Sequence, residues 1–360
     1  MNEEKINSFG VFTIITSLTS SALYGIFTSY MLNKARNASV ISILIGTILV
    51  LIIAKIILNF FYKYPSLTYT EKIKKIHKHY KIIAIISVLC STLGYILFTY
   101  RLTSFMSTQY LVNTPRILIS ILILFITFYI ASNGIETTIR VSTITFYISM
   151  FIFLFDLFSL VNQIKIDNIL PLLNTSYSNI FISSITFAFY FTIPITNIYS
   201  FKLNQIVDKN KFKKYYYLSI ILSLLIAIIS IFTTIGISGI KINELFDYPI
   251  YTLLKRIKLF SFLDSLENVS IMLWILFIIN TSNMSLLFIF NTIKETFNLN
   301  KKKSNIINIL IIIFSFIISN FVLFNNNYSE TYNYIWIPFS ILFIIFILII
   351  YSQIKDRLNK

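Results

Sequence analysis

Two segments are the most informative about the architecture of this chain: residues 9–31, FGVFTIITSLTSSALYGIFTSYM, and residues 178–200, SNIFISSITFAFYFTIPITNIYS. Each is long enough to cross a bilayer, which takes about 20 apolar residues. Each also weakens its own helix near the middle. In the first, hydroxyl side chains are frequent over residues 16–21 and Gly25 follows, whereas the second contains Pro194. Hydroxyls compete for backbone hydrogen bonds and proline has no N–H, so we predict that both helices are interrupted inside the membrane.

The composition of the whole chain excludes a water-soluble protein. Of 360 residues, 56% are hydrophobic and only 12% are charged, while soluble domains are about 25% charged. The mean hydropathy is +0.79. About ten membrane crossings use nearly the whole length, which leaves no room for a separate catalytic domain outside the membrane.

Charged residues, Asn and Pro divide the apolar sequence into ten predicted spans. These lie near residues 9–31, 38–60, 82–105, 116–132, 140–161, 178–200, 215–239, 267–293, 305–324 and 335–353. We therefore predict an all-α integral membrane protein with about ten transmembrane helices in a single transmembrane domain, 1–360. Five spans on either side of Leu160 would suit a five-plus-five inverted repeat, with residues 1–161 as the first repeat, 162–353 as the second and 354–360 as a tail.

The basic residues predict the orientation of the protein in the membrane. The net charge is +16, and most of the 30 Lys and Arg residues fall on the side that also holds both termini. Because basic loops stay in the cytoplasm, we predict that both termini are cytoplasmic. Lys and Arg lie between apolar runs and form no single face, so the charge indicates contact with the lipid bilayer and no nucleic acid. Residues 67–83 and 251–266 are predicted to lie along the membrane surface.

The two predicted interruptions define a candidate binding site for a small molecule. Exposed backbone at mid-membrane depth is tolerated only where protein or a cavity covers it. Helix ends near the first interruption would offer N–H groups to a carboxylate, and carbonyls freed by Pro194 near Phe189 and Tyr190 would bind an ammonium group. Polar residues of the third and eighth spans would shape the remaining pocket. The predicted substrate-binding residues are Ser20, Ser21, Ala22, Leu23, Gly25, Tyr95, Thr99, Phe189, Tyr190, Thr192, Asn280 and Asn283.

The same residues have a structural interpretation. Ser, Thr and Gly allow close packing of membrane helices, and proline kinks are common there. The polar stripe that contains Tyr95 and Thr99 would either line the pocket or join helices. Asp156 and Glu267 are interpreted as charges at helix ends in contact with water, with a proton relay as the alternative. Nothing resembles a nucleophile with its base, a phosphate-binding loop or a metal cluster, so we predict no enzyme activity, no cofactor and no metal site.

Several short segments, in their order and spacing relative to the spans, carry a family resemblance over nearly the whole chain. They are Gly134, Ile135, Glu136 and Arg140; Asn168, Leu170 and Pro171; and Phe262, Leu263, Asp264, Leu266, Glu267 and Trp274. The chain resembles the permease-like B subunits of GerA-type spore germinant receptors, within the amino acid/polyamine/organocation transporter superfamily. This resemblance implies a LeuT-like fold with discontinuous helices 1 and 6. It also implies a central pocket for an amino acid or similar germinant.

The resemblance implies partners and a location as well. Such subunits act with an A-type membrane subunit and a C-type lipoprotein in the inner membrane of the spore. The chain departs from the family where Ser20, Ser21, Ala22 and Leu23 replace a glycine-rich segment, where no Pro-Arg follows near Phe27 and Thr28, and where residues 177–201 contain no Glu. Three functions therefore stay open: a nutrient-sensing subunit, an autonomous secondary transporter of amino acids or organic cations coupled to H⁺ or Na⁺, and a scaffold subunit without a working pocket.

Overall fold

The structure is a computed structural model that describes residues 4–23, 27–255 and 267–324. The described residues form thirteen α-helices. In chain order these are α1 Ser8–Ser20, α2 Thr28–Ala35, α3 Ser39–Tyr62, α4 Tyr69–Ile76, α5 Tyr80–Phe105, α6 Arg116–Ser132, α7 Gly134–Leu160, α8 Tyr177–Thr192, α9 Lys209–Ser238, α10 Ile240–Asn243, α11 Pro249–Leu254, α12 Glu267–Thr296 and α13 Lys301–Ile317. A 3₁₀ segment, Ile193–Ser200, continues α8.

The protein is an all-α, multi-pass membrane protein. Seven helical stretches among the described residues are long and apolar enough to cross a membrane, and α1 and α6 are shorter apolar helices. Helices or helix pairs lie at each of the first nine predicted spans. The tenth predicted span, 335–353, and the predicted tail, 354–360, lie outside the described residues.

The two predicted surface helices differ from expectation in extent. At residues 67–83 the surface helix is only α4, because His77 adopts an extended conformation with φ −135° and ψ 133°, and α5 begins at Tyr80. Thr68 and Glu71 cap the start of α4 through reciprocal side-chain to backbone bonds. Of the predicted helix 251–266, the structure describes residues 251–255, which continue α11 as far as Leu254.

The helices pack as a bundle whose interior combines large apolar side chains with many small and hydroxyl residues, and whose outer surface is apolar. α1 packs against α9, α3 against α8, and α12 against both α5 and α7. Leu44, Ile48, Phe151 and Phe158 are exposed on the outer surface, as lipid-facing side chains are. Many buried hydroxyls donate to a carbonyl one turn back in their own helix, as Ser184 Oγ does to Ile180 O at 2.8 Å. This satisfies polar groups that lipid cannot.

The segment between the two halves joins helix ends at one end of the bundle. Asn168 Nδ2 donates to Gly236 O at 2.9 Å, and Asn37 Nδ2 donates to Ile169 O at 3.1 Å. Gly239, at φ 72°, ends α9 in a conformation that side chains disfavour. The opposite end, formed by residues 4–8, 62–69, 132–136, 200–209 and 296–301, is called the amino-terminal end below.

Candidate functional site

The first span changes its helical geometry at the predicted position. Ser21 N donates to Ser17 O at 3.0 Å, as an α-helix requires. The next described bond runs from Phe27 N to Ala22 O at 3.0 Å, one residue wider than an α-helical bond. Thr28 Oγ1 donates to Leu23 O. The predicted binding residue Gly25 lies outside the described residues, between these two bonds.

The sixth span changes from an α-helix to a tighter 3₁₀ segment at Pro194. α8 ends at Thr192, and Pro194 occupies the first turn of the 3₁₀ segment, where a missing N–H costs little. The prediction of a freed carbonyl at Phe189 is wrong, because Ile193 N donates to Phe189 O. Thr192 Oγ1 donates to Ala188 O at 2.6 Å, so its hydroxyl is bonded within α8.

The interruption of the first span and the last turns of α8 meet at one small buried space, the central cavity. It has a volume of about 10 Å³ and is lined by Thr19, Ser20, Ala22, Leu23, Phe27, Phe187, Tyr190, Phe191, Ser223 and Ala227. The Phe27 and Phe187 ring centroids lie 5.3 Å apart, and those of Phe27 and Tyr190 lie 6.5 Å apart. A space of this size holds about one water molecule. The expected pocket is therefore closed by aromatic rings in this conformation.

Ser20 and Ser21 differ in how their hydroxyls are used. Ser20 lines the central cavity, and its Oγ has no hydrogen-bond partner among the described residues although the residue is only 1% exposed. Ser21 Oγ donates to Leu18 O at 2.9 Å, and Ser21 O accepts a bond from Trp274 Nε1 at 3.0 Å. Because an unpaired buried hydroxyl is costly, Ser20 is the residue of this pair that a ligand would satisfy.

The predicted residues of the third span lie away from the central cavity. Tyr95 Oη bonds Thr127 Oγ1 at 3.0 Å between α5 and α6, and its ring packs against Leu124 and Leu286. Thr99 Oγ1 donates to Tyr95 O at 2.8 Å. Neither residue lines the central cavity. Tyr95 therefore joins two helices, whereas the Thr99 hydroxyl is bonded within α5.

The two asparagines of the eighth span have different surroundings, although both are buried in α12. Asn280 Nδ2 donates to Ser17 Oγ at 3.1 Å and to Thr145 Oγ1 at 2.8 Å, which links α12 to α1 and α7. Asn283 is fully buried, and neither end of its amide has a hydrogen-bond partner among the described residues. Neither side chain lines the central cavity.

A polar network beside the 3₁₀ segment was not among the predicted binding residues. Ser91 Oγ donates to Asn197 Oδ1 at 2.8 Å, and Asn197 Nδ2 donates to Ser285 Oγ at 2.8 Å. The network joins α5, the 3₁₀ segment and α12. The sequence contains a signal for it, since Asn197 follows Pro194 closely and buried amides in membrane helices require polar partners.

The comparisons with known proteins agree with the resemblance noted in the sequence. No curated protein matches the chain. The model of the spore permease family, described as spore germination protein, matches residues 5–329 and so covers both interrupted spans. The chain belongs to this family of spore germination proteins.

Proposed function

We propose that the protein is the nutrient-sensing subunit of a spore germinant receptor and acts by binding and not by catalysis. One observation carries this proposal: the interruption of the first span and the end of α8, directly before the 3₁₀ segment of the sixth span, line a single buried cavity, with Ser20 on one side and Tyr190 on the other. Interrupted helices that meet in mid-membrane are the usual binding site of transporter folds. The family match to spore germination proteins gives the process in which such binding is used.

Helix packing supports a LeuT-like inverted repeat of ten helices. An exchange of the two halves relates the first span to the sixth and the second to the seventh. The contact between the first and seventh spans, α1 with α9, therefore corresponds to the contact between the sixth and second spans, α8 with α3. Both contacts are extensive in the structure. Likewise, the contact between the fourth and eighth spans, α6 with α12, corresponds to the contact between the ninth and third spans, α13 with α5. Both contacts are present.

The closed cavity implies that ligand binding is coupled to a rearrangement. An amino acid is larger than the central cavity, so it enters only when the rings of Phe27 and Phe187 separate. Its carboxylate then accepts a hydrogen bond from Ser20 Oγ, and its ammonium group lies against the ring of Tyr190. A ligand that binds the opened packing more tightly shifts the protein towards that packing.

The change in packing is the signal passed to the partners. Following the family resemblance, these are an A-type membrane subunit and a C-type lipoprotein subunit in the inner membrane of the spore. The termini face the cytoplasm, where most basic residues of the chain lie.

Ser20→Ala and Ser21→Ala form a matched pair that tests the site. Ser20→Ala removes the unpaired hydroxyl from the cavity, so the nutrient concentration for half-maximal germination should rise about tenfold, the loss expected for one hydrogen bond to a charged group. Ser21→Ala removes a hydroxyl bonded to Leu18 O and should change the response less than threefold. Spores carrying equal amounts of either variant are compared across the common amino acids. Equal responses of both variants would contradict the proposed site.

A polar face of α12 favours autonomous transport as the alternative function. Asn280, Asn283, Asn291 and Glu295 lie on one side of this helix and extend from mid-membrane to the amino-terminal end. Uptake of a radiolabelled amino acid by the purified protein alone in liposomes would support the transporter. Binding without uptake, with germination restored only when the partner subunits are present, would support the receptor.

A further inference from the structure

A second cavity, far larger than the central one, lies at the amino-terminal end of the bundle. It has a volume of about 280 Å³, close to the lower end for small-molecule sites. Its walls come from five parts of the chain: the segment before α1, the start of α4, the start of α7, the 3₁₀ segment with the loop after it, and the last turns of α12. The polar and aromatic residues used below are Glu4, Tyr69, Tyr199, Lys202, Asn291 and Glu295.

The charges of this amino-terminal cavity favour a cation. Glu4 Oε2 accepts hydrogen bonds from Ile135 N at 2.8 Å and Glu136 N at 3.2 Å, so the start of α7 neutralises part of its charge. Glu295 lies in the last turn of α12, where the Thr68 and Thr70 side chains stabilise its carboxylate, Glu71 repels it and Lys202 attracts it. Two carboxylates and one ammonium group leave the cavity with an excess of negative charge, which a positively charged ligand would balance.

Two stacked tyrosines form an aromatic wall of the same cavity. The rings of Tyr69 and Tyr199 lie 5.4 Å apart between centroids with an interplanar angle of 7°. Tyr199 Oη donates to Ile57 O at 3.0 Å, which fixes the ring against α3. Ammonium groups bind to the faces of tyrosine rings, so the site uses the ring surface that the two stacked tyrosines do not turn towards each other. Sodium and other small metal ions prefer several oxygen ligands instead.

The amide of Asn291 adds an oriented polar group. Asn291 Nδ2 donates to Ser200 O at 3.1 Å, which leaves the amide oxygen as its remaining polar end. An amide oxygen accepts hydrogen bonds and complements an ammonium group rather than a carboxylate. Asn291 and Glu295 lie one turn apart on α12, so their side chains are neighbours on one face.

We propose that the amino-terminal cavity is a binding site for a small molecule that carries an ammonium group. Glu295 is its counter-ion, Asn291 accepts a hydrogen bond from it, and the Tyr69 and Tyr199 rings cover it. This site is separate from the central cavity, and it stands whether or not the central cavity binds a nutrient. The ammonium group belongs either to a plain amine or to an amino acid.

Three probes of similar size distinguish the charge that the site takes: ethylamine, L-alanine and propionate. Calorimetric titration uses the purified full-length protein in lipid nanodiscs. We expect ethylamine, L-alanine or both to bind, and propionate not to bind. Binding of ethylamine alone identifies a plain amine as the ligand, and binding of L-alanine identifies an amino acid. Binding of propionate as tightly as ethylamine, or no binding of any probe at millimolar concentrations, would overturn the proposal.

Glu295→Gln and Glu136→Gln assign the binding to the cavity. Glu295→Gln should weaken ammonium binding at least tenfold. Glu136→Gln makes the same charge change at the same end of the bundle, where Glu136 pairs with Arg140 outside the cavity, and should leave binding unchanged. Equal affinities of the two variants would refute the site. If Glu295→Gln does not fold, as judged by size-exclusion chromatography, Asn291→Leu replaces it with the same expected loss.

Ser20→Ala separates this proposal from the proposed function. L-alanine binding that is lost in Ser20→Ala and kept in Glu295→Gln belongs to the central cavity and supports the sensing site; if ethylamine then shows no binding that Glu295→Gln weakens, the present proposal is overturned. Binding lost in Glu295→Gln and kept in Ser20→Ala supports the amino-terminal site.

Discussion

The central cavity and the amino-terminal cavity differ in size, lining and access. The central cavity measures about 10 Å³ and is lined by hydroxyl, small and aromatic side chains. The amino-terminal cavity measures about 280 Å³ and contains Glu4, Lys202 and Glu295. A large polar void at mid-membrane is costly unless water or a ligand fills it, whereas charged groups at the end of the bundle reach water. Under the two proposals, a ligand at the centre would therefore require the aromatic rings to move apart, whereas the amino-terminal cavity already has room for one.

Removing an aromatic ring from the central cavity should have the largest effect on the free energy of unfolding. Phe187 is 1% exposed and packs against Phe27 and Phe191. We expect Phe187→Ala to lower the free energy of unfolding by about 3–5 kcal/mol, as for large buried rings. Phe181→Ala, on the same helix but 59% exposed, should lower it by less than about 1 kcal/mol. Titration of mixed micelles with SDS measures both.

The same pair also tests whether the rings close the central cavity. Phe187→Ala protein should bind amino acids with larger side chains than the wild type accepts, because the ring no longer fills the space. If Phe187→Ala and Phe181→Ala have equal stability and equal ligand preference, the packing described for the central cavity is wrong.

The two asparagines of α12 should respond oppositely to the same substitution. Asn280→Leu loses bonds to Ser17 and Thr145 and should destabilise the protein by about 1–3 kcal/mol. Asn283→Leu removes an amide without described partners and should leave stability unchanged or increase it. Unfolding free energies of the two variants decide the matter, and a large loss of stability in Asn283→Leu would show that its amide is bonded in the folded protein.

Most of the helical fold was predictable from the sequence because membrane helices are long and apolar. The first nine predicted spans all contain helices, and the positions of both interruptions were predicted from hydroxyl residues and Pro194. The lengths of surface helices were not predictable, since the end of α4 depends on the backbone conformation of His77. Such local conformations depend on tertiary contacts that periodicity does not record.

The candidate site was predicted only in part. Ser20, Ala22, Leu23 and Tyr190 line one cavity, and the sequence placed these residues at or beside the two predicted helix interruptions. Tyr95 does not line it, because the direction in which a helix face points depends on rotation of the helix, and a polar stripe alone does not specify its neighbour. Closure of the cavity by aromatic rings is a matter of side-chain packing across helices, which one sequence does not reveal.

The amino-terminal end contains a lysine whose ionisation should affect stability. Lys72, on α4, is 2% exposed, and its Nζ donates to Phe61 O at 2.6 Å. Burial lowers the pKa of Lys72 from 10.5 to about 8. Because the unfolded chain binds the proton more tightly, stability should rise with pH between about 8 and 10.5, by about 3 kcal/mol. Lys72→Met should flatten this part of the pH profile.

A control for Lys72 lies on the same helix. Lys74 is exposed, so Lys74→Met should retain the rise in unfolding free energy between pH 8 and 10.5. A rise of the same size in Lys72→Met would assign the pH dependence to another group. Among the described residues, no lysine, arginine or acidic residue lines the central cavity, so variants there should leave this pH profile unaltered.

Substitution of Asp208 should have the smallest effect on the free energy of unfolding, because its carboxylate lies near the surface. Its Oδ1 accepts a hydrogen bond from Ser8 N at 2.7 Å, at the start of α1. Partial burial acts to raise the pKa of Asp208, but the Ser8 hydrogen bonds and Lys211 hold it below its usual 3.8. The stabilisation is therefore present at neutral pH and lost as the pH falls through the lowered pKa. Asp208→Asn should reduce the unfolding free energy by about 0.5–1 kcal/mol at pH 7, and Asp167→Asn, at the opposite end of the bundle, should change it less. A larger loss in Asp167→Asn would mean that the contact between Ser8 and Asp208 does not hold the first span in place.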